Sequence, residues 1–543
     1  MKKFITLILL IVVTAAYAQK ATNYWNGNFN SYWHNNNNWS LGHIPTSTED
    51  VVIPNGMPRY PYVGSSNESI KSLTIYSAAY VRIGAYALNV SGDVIVYGEI
   101  DMDNPAADLY CTNLTWESGS TAQTTGDCEF ILYGTWDFKA GANVQLNNGR
   151  VRFNGSANQY IRSRDADCYF NNVYPVKTGG VFGLSAQSTA TCKIKGYLIL
   201  GGTNYNFTSP SGQTIQIGNY FNNGNASINM VLDNGTIEFT GNTTHCTFYP
   251  QPGDYFNNLI INTGSYDLVM NTINTTSFEI KNDVTINSGR FDVNGMDLIV
   301  GGDWTNNVGS VGFWERDRKV TFNGTTHQYC SDEVFNILEI NKTAGALRMS
   351  GSDVECQYYD WTDGAIDVLS GSFTANELVD AGIAGSWYVN DEVHIHQTDS
   401  YVDLLGDVHI FDGGYMHVYG GNDDSYWPYG PAGSEIEIES GGNLQFHDVG
   451  IYVRSSGTLT SNISGGWIGM IGDFRVDRAD FSSPGAIWAM LGTTDAQVEI
   501  SQGMINQLDI DKSTSKTGIP TQQHTHQVQN SNSTNPIIID PHR

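Results

Sequence analysis

The 543-residue chain is poor in positive charge and has few charged residues of either sign. It carries 27 Lys+Arg against 55 Asp+Glu, a net charge of −28, and 15% of its residues are charged, whereas about 25% is usual in soluble domains. No basic stripe of the kind that binds phosphates is evident, which argues against a nucleic-acid partner. With 40% hydrophobic and 12% aromatic residues the chain can bury a large core, which argues against intrinsic disorder.

Long apolar runs are absent beyond the N-terminus. Lys2 and Lys3 precede an apolar run over 4–13, and Ala16-Tyr17-Ala18 has the small-x-small form that a signal peptidase cuts. That run is too short to span a bilayer, and no later stretch reaches about 18 apolar residues. These features predict a signal peptide over 1–18, a secreted or extracellular location that includes the cell surface, and no membrane span. A buried first helix is the alternative.

Closely spaced cysteines are also lacking. None of the seven cysteines forms a C-x-x-C pair, which argues against zinc-ribbon and thioredoxin-like sites. We expect most of them to be small buried side chains, and a disulfide such as Cys111 with Cys128 is the alternative for one or two pairs. The seven are Cys111, Cys128, Cys168, Cys192, Cys246, Cys330 and Cys356.

Proline is scarce, at 15 residues, whereas glycine is abundant, at 58, and the chain repeats itself. The repeat glycines Gly155, Gly241 and Gly324 are 86 and 83 residues apart (241 − 155 and 324 − 241). Each lies in a similar step and leads to a Phe-Asn step and a similar ending. The steps are Val151-Arg-Phe153-Asn154-Gly155, Ile237-Glu-Phe239-Thr240-Gly241 and Val320-Thr-Phe322-Asn323-Gly324, and the endings are Val176-Lys177-Thr178-Gly179, Ile261-Asn262-Thr263-Gly264 and Ile340-Asn341-Lys342-Thr343.

The fold class follows from these repeats and from short alternating apolar runs without helical period. We predict an all-β chain: a right-handed parallel β-helix (solenoid) over 67–515 with coils of about 20 to 25 residues. An N-terminal aromatic cap over 19–66 precedes it, and an irregular tail over 516–543, interpreted as truncated, follows it. Tandem β-sandwich modules are the alternative, since a unit near 85 residues suits such a domain. Scarce proline and closely spaced turn signals favour the solenoid.

The predicted cap contains Trp25, Trp33 and Trp39 within 15 residues. Aromatic faces stack well on sugar rings, so these three are candidate ligand-binding residues. The alternative, which we favour, is that they fill the open end of the solenoid with apolar bulk.

Several motifs carry a resemblance to a known group. They are Asn38-Trp39-Ser40-Leu-Gly42 with Pro45-Thr46, Asp50-Val-Val-Ile53-Pro54, Tyr60-Pro61, Gly302-Asp303-Trp304-Thr305-Asn306-Asn307 and Phe322-Asn323-Gly324-Thr325. With these the chain resembles secreted bacterial surface β-helix proteins of the kind exported by the type IX secretion pathway. The resemblance covers nearly all of the mature chain and implies cell-surface attachment. Members typically end in a sorting domain, and we find no such domain before Arg543.

Candidate metal sites rest on spaced carboxylates and histidines. Asp101, Asp103 and Asp108 have part of the spacing of a calcium loop, without the glycine and glutamate of an EF-hand, and Asp423 and Asp424 form a second acidic turn. These carboxylates make calcium the candidate cofactor, and solvated acidic turns are the alternative. The histidines His394, His396, His409 and His417 could begin a zinc or copper site, but solvent-facing positions are the favoured interpretation.

The sequence predicts a non-enzymatic, adhesin-like scaffold whose partners are extracellular glycans or other cell-surface components, which implies carbohydrate binding. No catalytic residue is assigned. The alternative is a polysaccharide-degrading lyase or hydrolase, because many parallel β-helices have such activities. Fold analogy alone is a weak argument for an enzyme, and the ordered motifs of pectin hydrolases are not found.

Overall fold

A computed structural model describes residues 22–241, 244–271, 275–381, 385–396, 408–411 and 414–419, and, further on, the strands named below. The chain is all-β, with 57% strand and 2% helix, and its parallel coils form a β-solenoid of about 15 turns. This confirms the predicted fold class over tandem β-sandwiches, whose strands pair antiparallel. The chain divides into two compact units, 1–241 and 242–543.

The described part of unit 1 consists of short strands and a 3-10 turn, Asn36–Asn38. Its strands are β1 (Thr22–Tyr24), β2 (Asp50–Ile53), β3 (Tyr62–Val63), β4 (Glu68–Ile70), β5 (Ser72–Ile75), β6 (Tyr80–Ile83), β7 (Ala87–Val90), β8 (Val94–Val96), β9 (Glu99–Met102), β10 (Asp108–Cys111), β11 (Leu114–Trp116), β12 (Thr121–Thr124), β13 (Glu129–Leu132), β14 (Trp136–Phe138), β15 (Arg150–Gly155), β16 (Gln159–Ser163), β17 (Asn172–Lys177), β18 (Val181–Leu184), β19 (Cys192–Ile194), β20 (Tyr197–Gly202), β21 (Asn206–Thr208), β22 (Thr214–Ile217), β23 (Tyr220–Asn223), β24 (Asn229–Val231) and β25 (Thr236–Phe239).

The strands of unit 1 stack in parallel sheets. One sheet has the order β1-β2-β5-β8-β11-β14-β16-β18-β21-β24, a second includes β4-β7-β10-β13-β15-β17-β20-β23, and a third is β3-β6-β9-β12. In the first sheet, Leu73 pairs with Val94, Val94 with Leu114, Leu114 with Trp136, and Trp136 with Ile161. The resulting coil lengths are 21, 20, 22 and 25 residues, within the predicted range.

The core is the interior of the coils. Side chains alternate between the two faces of a strand, so the column Leu73, Val94, Leu114, Trp136 and Ile161 points inward, and each of its members is buried. Burying such a side chain stabilises the fold by about 1.5 to 3 kcal/mol. The residues that alternate with these in each strand face outward, so functional groups on the strands lie on the outer surface of the coils.

Unit 2 contains longer strands and, among its described residues, a 3-10 turn at Ser310–Gly312. Its strands are β26 (Cys246–Tyr249), β27 (Tyr255–Phe256), β28 (Asn258–Met270), β29 (Ser277–Ile280), β30 (Val284–Asp292), β31 (Asp297–Val300), β32 (Trp304–Asn306), β33 (Phe313–Trp314), β34 (Lys319–Phe322), β35 (Gln328–Tyr329), β36 (Glu333–Ala381), β37 (Gly385–Val389), β38 (Glu392–His396), β39 (Val408–Ile410), β40 (Tyr415–Tyr419), β41 (Glu435–Ile438), β42 (Asn443–His447), β43 (Ile451–Ile463), β44 (Trp467–Met470), β45 (Phe474–Phe481), β46 (Ile487–Met490), β47 (Ala496–Ser501), β48 (Met504–Ile505), β49 (Gln507–Ile510), β50 (Thr525–His526) and β51 (Ile537–Ile539).

Strand β36 shows how the coils of unit 2 connect. Its residue Leu338 pairs with Val320 of β34, whereas Leu347 pairs with Gln328 of β35 and Ile366 pairs with Trp387 of β37. The strand therefore turns corners and contributes to more than one coil. Parallel pairing continues to β49, and β50 and β51 then pair antiparallel with β49 and β47.

The sequence repeats correspond to equivalent steps of the coils. Phe153, Phe239 and Phe322 are all buried near the ends of β15, β25 and β34. Val151 pairs with Val173 in unit 1, and Val320 pairs with Leu338 in unit 2. Each repeat thus contains a strand with a buried phenylalanine and the strand that stacks on it in the next coil.

Candidate functional site

The three tryptophans of the N-terminal segment form a buried cluster. The ring of Trp39 packs edge-on against Trp25 at 4.9 Å and against Trp33 at 4.8 Å between centroids. Trp25 Nε1 donates to the Arg59 carbonyl at 2.6 Å, and Trp39 Nε1 donates to the Trp33 carbonyl at 2.8 Å. All three side chains are buried, so their faces do not form an exposed platform for sugars, and they pack as core.

Asn38 organises the loop that holds this cluster. Its Oδ1 accepts from the backbone amides of Phe29 and Asn30 at 3.0 and 3.2 Å. Its Nδ2 donates to Asn30 Oδ1 and to the Tyr32 carbonyl at 2.9 and 3.1 Å. A fully buried amide needs such partners, which explains why the Asn-Trp step occurs here.

The predicted calcium loop does not gather its carboxylates. Asp101 Oδ2 accepts from Arg82 Nε at 2.8 Å, and Asp103 lies 3.6 Å from the same nitrogen. Burial is the larger cause, and repulsion from Asp101 the smaller, of a raised pKa at Asp103. Asp108 begins β10, where burial and then repulsion from Glu129 raise its pKa. The guanidinium of Arg82 thus lies where a metal ion would bind Asp101 and Asp103, and it does not pair with Asp108.

The other metal candidates have different outcomes. Asp423 and Asp424 lie outside the described residues. His394 and His417 stand opposite each other on β38 and β40, with their rings stacked at 4.9 Å. His409 stacks on Tyr388 at 5.2 Å instead, and His396 pairs with Tyr419 in the ladder. In the part of the chain that the structure describes, no group of three or more His, Cys, Asp or Glu could hold a metal ion.

The seven cysteines are all buried and free, which confirms their expected role as small core residues. Burial raises the pKa of Cys128 and Cys168 to about 11 and that of Cys192 to about 12. Such thiols are not nucleophiles at neutral pH.

Two lysines that end the first and third repeats are fully buried. Lys177 Nζ donates to the Ala157 carbonyl at 2.6 Å and to Gln159 Oε1 at 2.8 Å. Lys342 Nζ donates to the Gly324 carbonyl at 2.7 Å, the Thr326 carbonyl at 2.9 Å and Gln328 Oε1 at 2.5 Å. Burial lowers the pKa of each lysine to about 8. The middle repeat has Thr263 at this position.

Unit 2 contains an acidic cleft among its described residues. Its volume is about 390 Å³, and it is lined by Asp332, Glu333, Asp353, Glu355, Ser372 and Thr374 among others. Asp332 Oδ1 accepts from the Asp353 amide at 2.9 Å, and Asp353 Oδ1 accepts from Ser372 Oγ at 2.9 Å. The carboxylates therefore form a column across successive coils.

Glu333 is the buried carboxyl of this cleft. Its Oε2 accepts from Trp304 Nε1 at 2.9 Å and from Asn306 Nδ2 at 2.8 Å, and its Oε1 accepts from the Val334 amide at 3.1 Å. Burial raises the pKa of Glu333 to about 7, although these hydrogen bonds oppose the rise. The group can therefore carry a proton near neutral pH.

The exposed aromatic side chains are chiefly tyrosines. Tyr76 and Tyr97 follow the paired strands β5 and β8, are 45% and 40% exposed, and pack edge-on at 6.5 Å between centroids. Tyr197 and Tyr220 pair on β20 and β23 at 5.8 Å. The outer faces of the coils thus carry aromatic pairs on neighbouring rungs.

Sequence reasoning missed the buried lysines, Glu333 and the exposed tyrosine pairs. A signal for the lysines was present, since Gln159 and Gln328 each follow the repeat phenylalanine by six residues (159 − 153 and 328 − 322). Lysine is rarely buried, so the pattern alone favours a solvated side chain. No signal in the sequence set Glu333 apart from the other acidic residues.

These features define the chain as a parallel β-solenoid protein. Over residues 24–249 it is similar to a family described as a domain of unknown function (DUF8693). No curated protein and no solved structure matches it. No helix among the described residues is long and apolar enough to cross a membrane.

Proposed function

We propose that this chain is a secreted, non-enzymatic scaffold of the adhesin type that contacts glycans or other cell-surface components through the outer faces of its coils. The observation that carries the proposal is the exposed pair Tyr76 and Tyr97 on neighbouring rungs. Tyrosine offers an apolar face and a hydroxyl group at a low cost in conformational entropy, which suits recognition surfaces. Stacked coils hold such pairs in fixed positions.

Binding to immobilised glycans tests this proposal. We expect the purified chain to bind at least one glycan, and Tyr76→Ala/Tyr97→Ala to weaken that binding at least about tenfold, which corresponds to about 1.4 kcal/mol. The control Tyr86→Ala/Tyr133→Ala removes two exposed tyrosines of the same unit and should retain binding. An array of glycans without a single hit, together with no binding to cell envelopes, would contradict the proposal.

Export is part of the same proposal. The signal peptide predicted over 1–18 and the resemblance to proteins of the type IX pathway support it. Mass spectrometry of the protein from the culture medium should find a mature chain that starts at Gln19. Recovery only from the cytoplasm with Met1 retained would contradict export.

A second candidate function, polysaccharide cleavage, is favoured by the acidic cleft. A carboxyl group with a raised pKa near a second carboxyl group is the arrangement that glycosidases use, with one group as acid and the other as base or nucleophile. Glu333 would be the acid and Asp332 or Asp353 its partner. Release of reducing ends from polysaccharides that is lost in Glu333→Gln would establish hydrolysis, and no release from a broad substrate panel would eliminate it.

A further inference from the structure

Basic residues are concentrated in one segment of this acidic chain. Residues 138–164 contain Lys139, Arg150, Arg152, Arg162 and Arg164 and no aspartate or glutamate. The structure divides these cations between two sheets. Arg150 and Arg152 lie on β15, where Glu129 accepts hydrogen bonds from both, and the other three surround Asp137.

Asp137, Lys139, Arg162 and Arg164 form what we call the Asp137 patch. Asp137 pairs with Arg162 in the ladder between β14 and β16, and Lys139 and Arg164 come directly after these two strands. The four side chains therefore form a two-by-two array on neighbouring rungs, which are about 4.8 Å apart.

The patch carries more positive charge than it neutralises. Asp137 Oδ2 lies 3.1 Å from Lys139 Nζ, 3.5 Å from Arg164 Nη2 and 3.7 Å from Arg162 Nη1. One carboxylate thus faces three cations, a local charge of +2 (3 − 1). All three distances exceed about 2.7 to 2.9 Å, the usual length of a charge-assisted hydrogen bond.

Among the described residues, the acidic groups next to the patch form no ion pair with its three cations. Asp165, beside Arg164, accepts from the backbone amides of Gly141 and Asp167 at 2.7 and 2.9 Å. Glu117 follows β11 on the preceding rung, and among the described residues it forms no ion pair with Lys139. The cations remain accessible, since the side chains of Lys139, Arg162 and Arg164 are 32%, 32% and 25% exposed.

We propose that the Asp137 patch binds anionic polysaccharides through their carboxylate or sulfate groups. Guanidinium groups suit both anions because they can donate two parallel hydrogen bonds. Cations on neighbouring rungs also suit a polymer, which presents its charges at regular intervals. The inference rests on the proposed function and names the class of glycan that the scaffold recognises.

Binding to three polymers tests the inference: polygalacturonate for carboxylates, dextran sulfate for sulfates and neutral dextran. We expect the mature full-length chain to bind one or both anionic polymers, more weakly as salt increases, and Arg162→Gln/Arg164→Gln to lose at least about tenfold in affinity. Circular dichroism spectra identical to wild type would show that the variant folds.

A matched control removes the same charge elsewhere. Arg82→Gln/Arg348→Gln deletes two guanidiniums that are paired with Asp101 and Asp367 at 2.8 Å, and it should retain binding. If both double variants lose the same affinity, the binding depends only on the net charge of the protein, and the inference is overturned. Equal or tighter binding of duplex DNA would also overturn the assignment to polysaccharides.

The two proposals fail in different ways. The protein could bind neutral glycans through Tyr76 and Tyr97 and bind neither anionic polymer. That result would overturn the proposal for the Asp137 patch and leave the proposed scaffold function intact. Binding of anionic polymer that is lost in Arg162→Gln/Arg164→Gln but kept in Tyr76→Ala/Tyr97→Ala would support the patch and overturn the role of the tyrosines. Binding to no polymer, glycan or envelope would overturn both.

Discussion

Individual polar residues inside the coils are the least typical feature of this solenoid. Lys177 and Lys342 are buried lysines, and each ammonium group donates to backbone carbonyl oxygens and to one glutamine side chain. A buried lysine is tolerated here because its ammonium group donates hydrogen bonds to buried oxygens that would otherwise lack a donor. A buried acceptor without a donor is costly. The same step occurs in two repeats, which indicates a structural role for Lys177 at the end of β17 and for Lys342 within β36.

Removing one of these lysines should destabilise unit 1. In Lys177→Ala, Gln159 Oε1 and the Ala157 carbonyl lose their donor, and we expect the free energy of unfolding to fall by about 2 kcal/mol. Urea unfolding followed by circular dichroism measures this change. Lys71→Ala, which removes a half-exposed lysine paired with Asp50 at 3.3 Å, should change stability by less than about 1 kcal/mol. Equal effects would show that the Lys177 hydrogen bonds contribute nothing specific.

Glu333 should make the stability of unit 2 depend on pH. Its pKa is about 7 in the folded protein and about 4.3 in an unfolded chain. The folded state therefore binds more protons between these values, and the contribution of Glu333 is fully present below about pH 4.3 and lost as pH rises through 7. The loss amounts to about 4 kcal/mol.

Thermal or urea unfolding at pH 5 and pH 8 measures this dependence. Glu333→Gln should lose less stability than wild type on going from pH 5 to pH 8. The exposed Glu355→Gln, a change in the same cleft, should behave as wild type. If the stability of Glu333→Gln changes with pH as much as that of the wild type, another group causes the pH dependence.

At the scale of strands and turns, close stacking between coils constrains the corners. A Cβ added to Gly98, between β8 and β9, would meet the carbonyl oxygens of Ala79 and Tyr76 in the coil below. Backbone atoms cannot move aside as a flexible side chain can. The abundance of glycine in this chain therefore has a local cause at such corners.

Gly98→Ala should destabilise unit 1 by about 1 to 3 kcal/mol, because overpacking forces the backbone of two coils apart. Urea unfolding again provides the measurement. Gly179→Ala is the control, since a Cβ there would make only ordinary contacts, the nearest at 3.5 Å from Ser156 Cβ. If both variants unfold at the wild-type midpoint, the corner is less tightly packed than the structure shows.

At the scale of the whole molecule, the buried thiols report on the integrity of the coils. The seven cysteines lie between residues 111 and 356 and are all buried and free. Their burial both blocks reagents and raises the pKa of Cys128 and Cys168 to about 11. Thiol reactivity should therefore follow unfolding.

Titration with a thiol reagent should find almost no reactive cysteine in the native protein and seven in denaturant. A reductant should leave the midpoint of thermal unfolding unchanged. Fewer than seven thiols in denaturant, or a lower midpoint in reductant, would show that a disulfide forms in the protein.

The sequence by itself determined the all-β class, the stacked coils and their length. It did so because inward-facing positions must alternate and turn residues must recur once per corner. Only the tertiary structure decided what faces solvent. Trp25, Trp33 and Trp39 became core, and Asp101 and Asp103 turned to Arg82. Which side chains gather on one outer face depends on the register between residues more than 20 positions apart, as with Asp137 and Arg162, and local pattern does not encode that register.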